Sequence, residues 1–157
     1  MKVGIGYDIH RLVEDRPLFL GGIEIPYIKG LLGFSDGDVV LHAISDAMLG
    51  AIGAGDIGEH FPNTDQRYKD IRSLEILKKT VEMVYLKKFS IGNIDTVIIA
   101  EEPKLYPFKD KMIAAISGIL GVDKSKINIK ATTNEGVGSL GKGDAIAAYA
   151  VVMLEGK

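Results

Sequence analysis

The stretch AIAAYAVVML, Ala145 to Leu154, constrains the fold more than any other part of the chain. Successive side chains of a strand face opposite ways. Here both alternating sets are apolar, with Ala145, Ala147, Tyr149 and Val151 on one side and Ile146, Ala148, Ala150 and Val152 on the other. Such a strand needs cover on both faces of its sheet. Helices can supply one cover, and the other comes from a second subunit or, equally, from a fully internal position within one chain. The run is about half of the roughly 20 residues that a membrane-spanning helix requires.

The remaining pattern supplies the sheet's neighbours. Met1 to Asp8 alternates Val3, Ile5 and Tyr7 with Lys2, Gly4, Gly6 and Asp8, as a half-buried strand does. Leu18 to Leu20 and Ile23 to Ile25 flank Gly21-Gly22, which reads as a tight hairpin closed by Pro26. Ser35-Asp36-Gly37-Asp38 provides an acidic N-cap region for a first helix, ended by Gly50, Gly53 and Gly55. Asp56 to Asp70 reads as a surface loop, and Ser73 as the cap of a second helix through Leu74, Leu77, Val81, Val84 and Tyr85. Ile94 to Ala100 is a strand, Pro107 to Leu120 a third helix stopped by Gly121, and Ile127 to Lys130 a further strand. This order predicts an α/β (α+β) two-layer sandwich, with a mixed four-stranded sheet packed on helices plus a small β-hairpin.

The chain's 157 residues, 46% of them hydrophobic, suit a single domain over 1–157. A net charge of −2 leaves no basic excess for nucleic acid. The absence of Cys removes disulfides, thiolate zinc sites and thiol nucleophiles, so a metal must be held by imidazole and carboxylate. The N-terminus, MKVGIGYDIH, lacks the apolar core of a signal peptide. A soluble cytoplasmic protein without membrane or nucleic-acid partners is expected.

Asp8 and His10 lie two apart on a strand, so their side chains share a side, roughly 6 to 7 Å apart at the base. Alone, the pair reads more simply as a turn cap and a strand-end histidine. His42, with Asp38 and Asp46 four residues to either side, shares one helix face with them among apolar positions and alone reads more simply as a solvated or satisfied residue. Set opposite Asp8 and His10, it would complete three protein ligands with an open fourth position, the pattern of catalytic zinc. His60 reads as a surface residue. The turn Ala131-Thr132-Thr133-Asn134-Glu135-Gly136 offers hydroxyls, backbone N–H groups and a carboxylate that suit phosphate and magnesium, but an ordinary turn has the same composition. GVGSLGK, Gly136 to Lys142, falls short of a P-loop because Gly143 replaces the required Ser or Thr.

Taken together, GYDIHR at 6–11, SDGDVVLHAISDAMLGA at 35–51, GDIGEHFPNTD at 55–65, IIAEEPKL at 98–105 and IKATTNEGVG at 129–138 closely resemble the 2-C-methyl-D-erythritol 2,4-cyclodiphosphate synthase family. The resemblance implies a homotrimeric lyase of non-mevalonate isoprenoid synthesis with active sites between subunits. Its reaction converts 4-diphosphocytidyl-2-C-methyl-D-erythritol 2-phosphate into the cyclic diphosphate and CMP. By the same resemblance Asp8, His10 and His42 bind one zinc per site, Glu135 contacts magnesium or manganese at the diphosphate, and Thr133 is the transition-state hydroxyl. Asp8, Ile9, His10, Phe34 and Ser35 are implied to meet the methylerythritol phosphate, and Asp56, Ile57 and Gly58 its hydroxyls. Phe61, Pro62, Asn63, Thr64 and Asp65 extend that substrate-binding set. Ala100, Glu101, Glu102, Pro103, Lys104 and Leu105, with Ala131, Thr132 and Thr133, are implied to hold the cytidine diphosphate from a neighbouring chain, and Tyr106, Asn134 and Glu135 belong to the same substrate-binding set.

Several positions depart from the family. Phe34 stands where the family usually has a transition-state-stabilising His, and phenylalanine donates no hydrogen bond. Asn63 replaces a common Asp and Ser139 a frequent aromatic, while Lys142 with Asp144 replaces an Arg and Glu. Ser139 and Lys142 stay among the expected substrate contacts. Phe34 makes a catalytically weakened trimer that binds isoprenoid phosphates an alternative. A generic zinc hydrolase is a third reading, which lacks an obvious Glu to activate water.

Overall fold

The double-sided apolar run becomes the middle strand of a five-stranded sheet. The computed structural model describes residues 1–156. The elements are β1 (Lys2–Glu14), β2 (Leu18–Leu20), β3 (Ile23–Ile25), β4 (Lys29–Leu31), α1 (Val39–Ala51), α2 (Ile57–His60), α3 (Ser73–Leu86), β5 (Phe89–Ile99), α4 (Lys109–Leu120), β6 (Ile127–Thr132), α5 (Gly138–Gly141) and β7 (Ala145–Gly156). Strand order in the sheet is β4-β1-β7-β5-β6, with β5 and β6 parallel and the other pairs antiparallel. Strands β2 and β3 form the expected separate hairpin around Gly21-Gly22.

The main sheet therefore has five strands where four were expected. The addition is β4, three residues at the edge of the sheet, too short and too glycine-bearing for periodicity to register. Strand β1 also continues past Asp8 to Glu14, which places His10 inside regular structure. The third helix starts at Lys109, because Pro107 lies in a preceding 3₁₀ turn at Tyr106–Phe108. The loop from Asp56 to Asp70 contains α2 and a second 3₁₀ turn, Gln66–Tyr68. Ser73 does not cap α3. The cap position is Arg72, and the Ser73 hydroxyl turns to Asp36 instead.

The face of β1 that packs on helix is the one bearing glycines. Gly4 and Gly6 are buried, whereas Val3, Ile5, Tyr7 and Ile9 on the opposite face are exposed. A Cβ on Gly6 would lie 1.9 Å from the Ala43 carbonyl oxygen, and one on Gly4 1.8 Å from that of Ala47, so α1 rests directly on the strand's backbone. The helix face of the sheet continues through Ala148, Ala150 and Val152 of β7 and Ile94 and Ile98 of β5, all essentially inaccessible. One chain thus covers only one face of its central strand. Tyr149 and Val151 stay partly exposed on the other, where the Tyr7 and Tyr149 rings lie 4.7 Å apart.

Asp38 fixes the start of α1. Its carboxylate accepts from the N–H groups of Val40 and Leu41 and from those of Gly21 and Gly22 at 2.8–3.1 Å, tying the helix to the hairpin. Burial, and next the charge of Asp36, push this carboxyl up to about 6, against the pull of those N–H donors.

Gly6→Ala tests the close approach. The added methyl cannot be accommodated without moving α1, and overpacking of this kind costs about 1–3 kcal/mol. Urea unfolding should show a loss in that range. Unchanged stability would mean that helix and strand have room to separate.

Candidate metal centre

The rise of α1 carries His42 over the sheet at the level of Asp8 and His10. The Asp8 Oδ2 atom lies 2.8 Å from His42 Nδ1 and 3.1 Å from His10 Nε2, and the rings are 5.6 Å apart. One ligand atom from each of the three residues lies within 4.8 Å of the other two. The outward nitrogens are also engaged. His10 Nδ1 meets the Leu32 carbonyl at 2.5 Å, and His42 Nε2 lies 2.8 Å from Ser73 Oγ and 3.2 Å from Ser35 Oγ.

Burial pushes the Asp8 carboxyl up, but hydrogen bonds from His10 and His42 together with their charge outweigh it and hold it at about 2. Burial pushes His10 down, but the Asp8 carboxylate and the Leu32 carbonyl outweigh it and raise its pKa. The nitrogens that face Asp8 are the ones a divalent ion would take up, in competition with protons. Two imidazoles and one carboxylate, with no thiolate, suit a borderline divalent cation with an open coordination position. The donor set and its spacing fit.

The three residues line a cavity of about 400 Å³. Phe34, Ser35, Ile57, Gly58, Phe61, Pro62 and Asn63 line it too. Thr64 and Asp65 are not among the lining residues, and the Asp65 carboxylate is taken up by Arg67 at 2.6–3.1 Å. Asp56 caps α2 by accepting from Glu59 N–H, and Asp46 accepts from Ile57 N–H, which anchors that wall to α1. His60 is half-buried and bonded to the Ala54 carbonyl, apart from the three ligands. Sequence reasoning did not single out Tyr7, Tyr68, Ile71 and Ile76 as lining. Tyr68 and Ile71 sit in and beside a loop with no periodicity to mark them, and Ile76 reads as core.

A second group of expected site residues gathers at the other side of the sheet. Ala100 N–H donates to the Thr132 carbonyl, and Glu101 Oε1 accepts from Asn134 and Gly136 N–H, joining segment 100–106 to segment 131–136. Ala131, Thr132, Thr133 and Glu135 are exposed, and Glu135 has a left-handed backbone with φ of 51°. Glu102, Lys104 and Tyr106 are exposed and Pro103 half-buried, whereas Ala100 and Leu105 belong to the core, so only their main chain can meet a ligand. Ser139 lines a second concavity with Ile9, Arg11 and Lys29, which shares His10 with the first, and Lys142 is exposed beyond α5. Asp8 pairs across to Ala148, Ala148 to Ile98 and Ile98 to Ala131, three strand spacings or roughly 14 Å. Within one chain the two groups do not meet.

The sequence pattern of the YgbB family matches residues 1–155. A Geotalea uraniireducens protein named 2-C-methyl-D-erythritol 2,4-cyclodiphosphate synthase is 54% identical over 157 residues, all of both chains. One of the same name from Pelotomaculum thermopropionicum is 52% identical, covering 98% of this chain and 95% of that one. Among solved structures, the bifunctional IspDF from Campylobacter jejuni matches at TM-score 0.96 and 42% identity; 99% of this chain spans only 42% of that longer one. A CDP-bound cyclodiphosphate synthase matches at TM-score 0.91 and 36% identity, over 98% of this chain and 100% of the other. Matched along nearly its whole length in both pattern and relatives, the chain belongs to the YgbB family.

Proposed function

We propose that residues 1–157 act as one catalytic domain, in the cytoplasm and as a homotrimer, on the reaction for which the relatives are named. The substrate is 4-diphosphocytidyl-2-C-methyl-D-erythritol 2-phosphate and the products are 2-C-methyl-D-erythritol 2,4-cyclodiphosphate and CMP, a step of isoprenoid biosynthesis. The observation that carries this reading is the convergence of Asp8, His10 and His42 in a cavity of substrate size, in a chain about half identical to named synthases.

A 2-phosphate oxygen of the substrate attacks the β-phosphorus. The bond from that phosphorus to the oxygen bridging it to CMP breaks, and CMP leaves with the electron pair. No protein nucleophile is needed, so the chain's work is to position groups and balance charge. Asp8, His10 and His42 would hold zinc, and Glu135 magnesium or manganese; when bound, these ions supply Lewis acidity at the β-phosphoryl and offset charge on the departing CMP. Ile9, Phe34 and Ser35 flank the methylerythritol phosphate, and Asp56, Ile57 and Gly58 orient its hydroxyls. Segments 100–106 and 131–134 cradle the cytidine diphosphate, with Thr133 donating to the reacting phosphoryl oxygens.

Trimer formation is supported by two observations. The sheet face bearing Val3, Ile5, Tyr7, Ile9, Tyr149 and Val151 is apolar and uncovered within the chain. Asp8, His10 and His42 and the Thr133–Glu135 turn, all assigned to the reacting phosphates, lie three strands apart in one chain, which favours a neighbour supplying one of the two groups. Phe34, which lines the cavity without a donor, favours a second reading in which a weakened trimer only binds isoprenoid phosphates. Incubation with substrate, Zn²⁺ and Mg²⁺, with product identification, separates the two. CMP and cyclic diphosphate released above background are expected, and ligand binding without release would favour the binder.

His42→Ala removes one of three ligands and should lower bound zinc and CMP release together, by more than the ~10- to 100-fold typical for loss of an outer-sphere partner. Full metal content in that variant would contradict the assignment. Because protons and metal compete for the same ring nitrogens, zinc affinity should fall as pH falls. Asp8 raises the pKa of His10, so titration by competition with a chelator should show the fall beginning above the ordinary histidine value of about 6.5. Glu135→Gln should raise the Mg²⁺ concentration needed for half-maximal rate several-fold while leaving zinc content intact. An unchanged Mg²⁺ dependence would remove Glu135 from that role.

A further inference from the structure

Residues 31–35 lead from β4 toward α1 beside the metal cavity, and every one of their carbonyls meets a group outside the segment. The Leu32 carbonyl lies 2.5 Å from His10 Nδ1, and that of Phe34 accepts from Asp70 N–H at 2.8 Å. The alternate three go to one side chain. Arg16, half-buried in the turn between β1 and β2, donates from Nε to the Leu31 carbonyl at 2.5 Å and from Nη2 to those of Gly33, at 3.2 Å, and Ser35. No carboxylate pairs with this guanidinium among the described residues, so its charge is directed at main-chain oxygens. On the other side the strap lies against His10, where a Cβ on Gly33 would stand 3.0 Å from the ring's Cε1. The strap's N–H groups are less fully used. Those of Leu32, Asp36, Gly37 and Asp38 each donate within the protein, but among the described residues no acceptor meets those of Gly33, Phe34 and Ser35.

From this geometry we propose that Arg16 is a positioning residue for the reaction: by holding the Gly33 carbonyl from behind the strap, it aims the Phe34 N–H at a phosphoryl oxygen in the cavity. The reasoning is directional. In a trans peptide, as Gly33–Phe34 is, the C=O and the N–H point opposite ways in one plane. A carbonyl drawn to Arg16 therefore turns the following N–H away from Arg16. Phe34 lines the metal cavity and Arg16 does not; Arg16 lines a third, smaller concavity that shares only Ser35 with it. The side away from Arg16 is thus the cavity side, and the Phe34 N–H is left without an acceptor there. Position 34 has no side-chain donor, so this N–H is what it can offer a phosphate. The guanidinium suits the task because its donors are fixed in a planar fork, which a lysine ammonium cannot reproduce over three carbonyls. Without a cation behind them, the peptides of the strap lose what fixes their rotation.

This inference rests on the proposed reaction, and its test has one arm that needs no turnover. Protein labelled with nitrogen-15 at phenylalanine and loaded with Zn²⁺ is titrated with inorganic phosphate. The Phe34 amide proton should move downfield as it gains an acceptor, and in Arg16→Ala that shift should shrink or need more phosphate. The second arm is kinetic. Arg16→Ala should lower kcat per folded, zinc-loaded site by ~100-fold, the order of loss that follows a displacement of about 1 Å, with a smaller change in KM. Millimolar guanidinium should restore part of the rate, whereas sodium chloride at equal ionic strength should not, and Arg16→Lys should fall short of wild type. A merely structural role would lower the melting temperature without moving kcat per folded site or responding to guanidinium, and that result would overturn the proposal. So would a Phe34 amide that phosphate leaves unmoved, whether or not Phe61 in the same cavity responds. A wild type whose Phe34 amide responds as expected but that releases no CMP would instead overturn the proposed reaction and leave Arg16 as the prop of an anion-binding strap. The wild-type titration needs no variant, so misfolding of Arg16→Ala leaves the proposal open to refutation.

Discussion

The site depends on backbone touching backbone. With no side chain at Gly4 or Gly6, the carbonyls of Ala47 and Ala43 sit directly over β1. Four helical residues rise about 6 Å and two strand residues about 6.6 Å, so helix and strand keep step as they run in opposite directions. One further step along the strand reaches Asp8. A helical Cβ tilts toward the helix N-terminus, which aims His42, next to Ala43, at that same level. A bulkier residue at position 6 would lift the helix and withdraw the one ligand that β1 cannot supply itself.

Much of this was legible in the sequence, for reasons that differ by element. The hairpin announced itself through Gly21-Gly22, and Gly121 ends α4 in the left-handed conformation, as a helix stop should. Asp8 and His10 share a side because a strand alternates, and His42 joins them, as resemblance across the family's motifs implied. Less visible was which face of β1 the helix would take. Alternation marked Val3, Ile5 and Tyr7 as the apolar side, yet the helix chose the glycines, since proximity there gains more packing than bulk does. Ser73 was misread for a related reason. A serine at a helix start looks like a cap, and only the fold shows that Asp36, distant along the chain, claims its hydroxyl. The short β4 carried no periodic signal.

Asp38 and Asp36 divide the labour of the SDGD segment. Asp38 is fully buried and serves backbone N–H groups of helix and hairpin, so it holds the fold. Asp36, two residues earlier, turns the other way to α3, where it accepts from the N–H and hydroxyl of Ser73. Arg16 adds a third tie, since its guanidinium donates to the carbonyls of Leu31, Gly33 and Ser35 and holds the strap that carries Phe34. The wall beside the histidines is therefore set by main chain, so the ligand geometry does not depend on the side chain at position 34.

The carboxylate of Asp8 lies within 3.1 Å of both histidine rings. The hydrophobic core beneath is built without any of the three ligands. In small domains whose folding is driven by metal, stripping the ion unravels the polypeptide. Here the core closes on apolar side chains alone, so a chelator should strip the site without melting the chain, and one divalent species can replace another.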